Sequence, residues 1–121
     1  MANLKTSLDD VFHALSDATR RSIVRRLSQG RASVSELGEP FGIAKPTLLQ
    51  HIRVLERCGL ITTEKIGRVR RCEMQPKVIG VTEAWLAQQR TDWEARLDRV
   101  DIYVTRLNKQ EKKNGAKKRN K

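Results

Sequence analysis

Residues 43–59, IAKPTLLQHIRVLERCG, constrain the chain more than any other stretch. Leu48, Ile52 and Leu55 recur at steps of four and three, the spacing that gathers side chains on one face of a helix. That face needs a core beneath it. At about 100° per residue, the opposite face carries Pro46, Gln50, Arg53 and Arg57, with Thr47 and Leu49 on its flanks and no carboxylate until Glu56. It offers donors, cations and a methyl group, which suits the floor of a DNA groove. An ordinary half-solvated amphipathic helix has the same periodicity, so the flanking sequence has to decide between them.

Upstream, Ser33 and Glu36 stand in the S-x-x-E relation of a capping box, which predicts a short helix from Val34 with Leu37 and Phe41 as its buried pair. Pro40 removes a backbone hydrogen bond late in that helix, and Gly42 supplies the permissive backbone for a tight turn. A short helix, a glycine-bearing turn and a longer polar-faced helix make the helix-turn-helix plan. Downstream, Gly59 closes the long helix, and residues 60–74 read as a two-stranded hairpin: LITTEKI, a turn at Gly67, then VRRCEM. Arg68, Arg70 and Arg71 cluster near its tip. A basic hairpin behind such a helix is a wing; the competing reading is a solvated edge whose arginines block strand addition.

Two helices precede this unit. The first runs from Leu8, with Leu8, Val11, Phe12 and Leu15 at helical spacing and Ser7, Asp9 or Asp10 able to cap it. His13 lies beside that stripe with no second His or Cys at ligand spacing nearby. The second helix is capped by Asp17, buries Ile23, Val24 and Leu27, and ends at Gly30. Arg20, Arg21, Arg25 and Arg26 are expected outside that buried stripe, as a solvated face, as partners for acids on neighbouring helices, or as phosphate contacts.

After Pro76 the pattern returns to helix, and no Gly or Pro interrupts residues 82–108. Trp93, Leu97, Val100, Val104 and Leu107 alternate steps of four and three, an a/d seam, with Leu86 one heptad ahead. A seam of this length leaves a large apolar patch in water unless it is covered. A second copy of the chain would cover it; packing onto the first helix of the same chain is the alternative. The lysine-rich residues 109–121 are too polar to build a core and read as a disordered tail attracted to phosphates.

A chain of 121 residues is enough for one domain. Its formal net charge of +11 points to a polyanionic partner, nucleic acid or an anionic membrane surface. Residues 109–121 supply +6 of it through seven Lys or Arg and Glu111, leaving +5 on the body. Aromatic residues are 4% of the chain, too few for the stacking platforms of single-strand binders, which favours duplex. No run is long and apolar enough to span a bilayer, and the N-terminal MANLKTSLDD lacks the apolar core of a signal peptide. With only Cys58 and Cys72 there is no disulfide framework, and a cytoplasmic location is expected. The two cysteines are fourteen positions apart with no second pair to complete a metal site, so they read as packing residues, with a thiol switch as the alternative. No nucleophile, base and orienting group come together in the pattern, nor does a phosphate-cradling glycine loop, so no enzyme, cofactor or metal is expected.

With these elements placed, residues 8–108 resemble the ArsR-type winged-helix repressors. FHALSDATRRSIVRRL is similar to that family's first two helices, VSELGEPFGIAKPTLLQHIRVLERCGLI to its helix-turn-helix, and GRVRRCEM to its wing. WLAQQRTDWEARLDRV is similar to members whose terminal helix carries Trp and Arg in place of metal ligands. The resemblance implies a mainly α fold with a small β-hairpin, a winged helix-turn-helix over residues 1–108 with a long C-terminal dimerisation helix. It implies a homodimeric repressor that binds double-stranded DNA at an operator and is released by a signal the residues do not name.

By position, Thr47, Leu49 and Gln50 fall where the family reads bases, and Lys45 and His51 where it meets the backbone or groove wall. Pro46 and Arg53 share the outward face, and Arg68, Arg70 and Arg71 fall at the wing. Two positions depart from the family: Ala44 stands where a capping Ser is usual, and Leu49 where Ser is usual, its apolar side chain suited to a thymine methyl. A sequence-tolerant architectural protein, binding through its basic surface and tail, is the rival reading.

Overall fold

The computed structural model describes residues 4–119, with side chains described for residues 8–114. The elements run α1 (Leu4–Leu15), α2 (Ala18–Leu27), β1 (Ala32–Ser33), α3 (Val34–Gly38), α4 (Lys45–Arg57), β2 (Ile61–Ile66), β3 (Val69–Met74) and α5 (Pro76–Arg119). The chain divides into two units, residues 1–83 and 84–121, each described by itself.

In the first unit the helices form where the apolar spacing places them, and their ends have chemical causes. Asp17 caps α2 by accepting from the backbone N–H of Arg20 at 3.0 Å. Ser33 Oγ accepts from the N–H of Glu36 at 3.1 Å, the N-cap the spacing predicts, and donates to the Glu36 carboxylate at 3.2 Å, so Glu36 is bonded to the hydroxyl that caps the helix. Ala44 precedes α4 without any side-chain cap, and Pro46 in the first turn has no N–H to leave unpaired. The helix therefore starts at Lys45 although the usual capping hydroxyl is missing.

At the far end of α4 the N–H of Gly59 reaches Glu56 O at 3.0 Å and that of Leu60 reaches Leu55 O at 3.1 Å. This is the Schellman pattern, and it requires the left-handed backbone that Gly59 adopts at φ 84°. The turn feeds the chain directly into β2, so the helix end sets where the wing begins.

The core joins every element of this unit. Val11 and Ala14 from α1, Ile23 and Leu27 from α2, and Leu37 from α3 meet Leu48, Ile52 and Leu55 of α4, with Leu60, Ile61 and Cys72 from the hairpin. Burial raises the thiol pKa of both cysteines, that of Cys72 to about 11, so both are protonated packing groups near neutrality.

Several details depart from the sequence reading. The sheet has three strands, ordered β1-β3-β2, because Ala32 pairs with Cys72 and Ser33 with Arg71. The first helix begins at Leu4, one turn before the predicted start, and turns Ala14 rather than Phe12 inward; Phe12 is 41% exposed. The second ends at Leu27, before Gly30, and α3 ends at Gly38, which leaves Phe41 half-buried in the following turn. Arg20 lies within the buried stripe of α2.

The second unit is helix. The last helix is longer at both ends than the stretch read from sequence, starting at Pro76 and continuing through the lysine-rich segment to Arg119, where disorder is expected from residue 109. Proline at the first position needs no N–H partner, and Lys, Gln and Glu favour helix nearly as well as alanine. The seam residues are exposed: Trp93 at 59%, Leu97 at 44%, Val100 at 51%, Val104 at 46% and Leu107 at 42%.

Gly59 and Gly42 both adopt positive φ but differ in surroundings. A Cβ on Gly59 would lie 2.9 Å from Val78 Cγ2, whereas one on Gly42 meets nothing within 4 Å. Gly42→Ala should then cost only backbone strain, about 1 kcal/mol, and Gly59→Ala more, toward about 3 kcal/mol. Urea unfolding of the two variants measures the difference; equal losses would mean that Val78 yields at no cost.

Candidate nucleic-acid interface

Burial of Leu48, Ile52 and Leu55 turns the opposite side of α4 outward. Pro46, Thr47, Gln50 and Arg53 are exposed there, as the spacing predicts, and Lys45 is exposed at the helix start. The two flanks differ: Leu49 is half-buried on one and His51 half-buried on the other. Leu49 also packs against the core, so only part of its side chain is available to a ligand.

On the Leu49 flank an open groove forms between α4 and the wing. Lys45, Leu49, Lys65, Arg68 and Arg70 line it, with Ser33 and Ser35 at its edge, and no Asp or Glu is among its lining residues. The hairpin supplies the cations through its register. Lys65 stands directly opposite Arg70 in the antiparallel ladder, on the sheet face that carries Thr63 and Cys72. Like charges opposite one another destabilise a strand pair, so this placement favours a polyanion in the groove. Gly67, at φ 64°, makes the two-residue turn that brings Arg68 to the tip.

The wing is tied back to α4 at its base. Thr63 Oγ1 donates to the Glu56 carboxylate in the last turn of the helix, and Arg70 Nη1 donates to Thr63 Oγ1 at 3.4 Å. Arg71 belongs elsewhere. It lies on the opposite sheet face, paired across the ladder with Glu64, and does not line the groove. The three predicted wing arginines therefore divide: Arg68 and Arg70 enter the groove with Lys65, which the sequence reading left out. The alternation of strand side chains would have identified Lys65, since Lys65 and Arg70 share a face only when the ladder closes on Gly67.

On the other flank a second hollow lies between α4 and α2. Gln50, His51, Arg53 and Arg57 line it with Arg20 and Val54. Arg20 is only 9% exposed. Its spacing from Ile23 and Leu27, three and seven positions, already places it in their stripe, a signal hidden by its charge. The Arg20 N–H on Asp17 Oδ2 is the largest of the influences that hold the Asp17 carboxyl below its ordinary pKa. Among the described residues no group of three His, Cys, Asp or Glu is placed to hold a metal ion. Among them, too, no helix is long and apolar enough to cross a membrane.

Known proteins are similar to this chain in sequence and fold. A family model described as a helix-turn-helix domain matches residues 15–64. An HTH-type transcriptional regulator of Mycobacterium tuberculosis is 36% identical over 70 residues, 58% of this chain and 65% of that protein. The chain thus spans just under two thirds of that relative. The transcriptional repressor SdpR of Bacillus subtilis is 28% identical over 79 residues, covering 65% of this chain and 88% of that protein. A crystal structure of an ArsR family transcriptional regulator is 47% identical, covers 78% of this chain and 97% of its own, and superposes with a TM-score of 0.72. With nearly the whole of that regulator matched, in sequence and in fold, this chain belongs to the ArsR family of transcriptional regulators.

Proposed function

We propose that the chain is a homodimeric repressor that binds a palindromic operator in duplex DNA through α4 and the wing, and releases it in response to a signal. The observation that carries this reading is the groove between α4 and the wing, where Lys45, Lys65, Arg68 and Arg70 gather without a lining carboxylate. Its cations engage phosphates, while Thr47, Leu49 and Gln50 of α4 reach base edges: the Gln50 amide suits adenine, and the exposed part of Leu49 a thymine methyl. Arg53, a turn further along, contacts phosphate or guanine. Arg71 supplies long-range attraction rather than a groove contact.

The dimer reading rests on the second unit. Trp93, Leu97, Val100, Val104 and Leu107 form an a/d seam that is exposed along its length, and a second copy of the same helix presents the matching surface. Twofold symmetry in the protein calls for twofold symmetry in its site, hence an inverted repeat. The basic residues that continue α5 add attraction to any phosphate backbone, the one feature that favours the architectural alternative. Competition by unrelated duplex at physiological salt separates the readings, because a specific site should win by at least roughly a thousandfold.

Replacing Lys65 and Arg70 together with Ala should flatten the slope of log affinity against log salt by up to about two per subunit, while Arg71→Ala leaves it nearly unchanged. Titration of labelled duplex over a salt series measures both. A larger effect from Arg71 would put the opposite sheet face against DNA.

Leu97→Glu should produce a monomer with lost operator affinity, because two carboxylates at mid-seam would be desolvated against apolar neighbours. Sedimentation reads the mass; a variant that stays dimeric removes the seam from the interface.

A further inference from the structure

The hollow between α2 and α4 has a built floor. Arg20 Nε donates to Ala14 O at 2.7 Å and Nη2 to His13 O at 3.2 Å, so the guanidinium is anchored on the last carbonyls of α1. Its Nη1 lies 3.2 Å from His51 Nδ1. A guanidinium only donates, so Nδ1 must be the acceptor and carry a lone pair. The proton of the neutral ring then sits on Nε2. Asp17 Oδ2, at 3.8 Å from Nδ1, is too far for a hydrogen bond, and a proton on Nδ1 would face the N–H of Arg20.

Around this floor stand Gln50, Arg53 and Arg57, and the hollow has no lining carboxylate. It can give an occupant an imidazole N–H and two exposed guanidinium groups, with the Gln50 amide at its edge left to the bases. Such a donor set fits the free oxygens of a phosphodiester, which only accept. The hollow is open and runs beside the outward face of α4, a shape that suits a passing backbone better than an enclosed small anion.

We propose that Arg20 is a positioning residue for duplex binding: anchored on the α1 carbonyls, it fixes His51, which the family resemblance sets against the DNA backbone, as an Nε2–H donor toward a phosphate seated in this hollow, separate from the wing groove. The assignment rests on the duplex-binding function proposed above. It gives α4 a phosphate contact on each flank, which holds its outward face at one depth and rotation in the groove. A ring with its proton on Nε2 and a bare Nδ1 brings no charge to the phosphate, so this contact contributes affinity without releasing a counterion.

The test uses the full chain, with duplex of random sequence and duplex carrying its selected site. His51→Asn keeps a polar atom near the Nδ1 position and removes the outer donor, whereas His51→Gln places an amide N–H near the Nε2 position. The first should weaken binding to both duplexes by about tenfold, with the salt slope unchanged, and the second should restore most of the loss. Arg20→Lys, which cannot bridge α1 and His51 in the same way, should resemble His51→Asn. Nitrogen NMR of the imidazole in the DNA-free protein should find Nε2 protonated and Nδ1 bare, and this preference should be lost in Arg20→Lys.

Equal binding by parent and His51→Asn, or no difference between the Asn and Gln variants, would overturn the seat. A proton on Nδ1 in the parent would overturn the role of Arg20. A parent that binds no duplex would instead overturn the function itself, and the seat with it. If Arg20→Lys fails to fold, the two His51 variants and the parent's ring spectrum still decide.

Discussion

The burial of Leu48, Ile52 and Leu55 against the first unit's core is the constraint on which the rest depends. A helix has one rotation about its axis at which these three side chains leave water together, and that rotation sends Pro46, Gln50 and Arg53 outward. Losing one of them from the core would cost several kcal/mol, far more than any single surface contact returns. The orientation of the polar face therefore follows from apolar packing, and does not need DNA to create it. The Schellman turn at Gly59 carries this orientation into the wing, since β2 starts two residues later and its base is bonded to Glu56.

Much of this was legible in the sequence because it rests on local chemistry. The Ser33 cap on Glu36 N–H, the caps at Asp17 and Gly59, the turn at Gly67 and the apolar spacing of α4 each act within a few residues. What escaped depends on long-range packing. The strand Ala32–Ser33 is too short to show alternation and exists because Cys72 and Arg71 lie beside it. In the sequence Arg20 reads as a charge outside the buried stripe because an arginine is rarely buried, and only the fold brings the α1 carbonyls and His51 to satisfy it. The division of the wing arginines needed the strand register, because one residue decides which sheet face a side chain takes.

The charge is arranged, not merely abundant. Of the net +11, the body keeps +5, and part of its positive charge lines the two flanks of α4: Lys45, Lys65, Arg68 and Arg70 on one, Arg20, Arg53 and Arg57 on the other. No carboxylate lines either flank, although Asp17 Oδ2 stands 3.8 Å from His51 Nδ1. Glu56 is engaged with Thr63, Glu64 lies on the outer sheet face, and Asp17 caps α2. Such a distribution suits a duplex whose two strands pass on either side of an inserted helix, with sequence read from the outward face between them.

Selection of binding sites from a pool of randomised duplexes by the full chain tests this account most directly. If two copies insert α4 into successive major grooves, the recovered sites will contain an inverted repeat with half-site centres about one helical turn, roughly 34–36 Å, or a multiple of it apart. Recovery of unrelated sequences with no shared repeat would contradict the account and leave a basic protein that holds DNA without reading it.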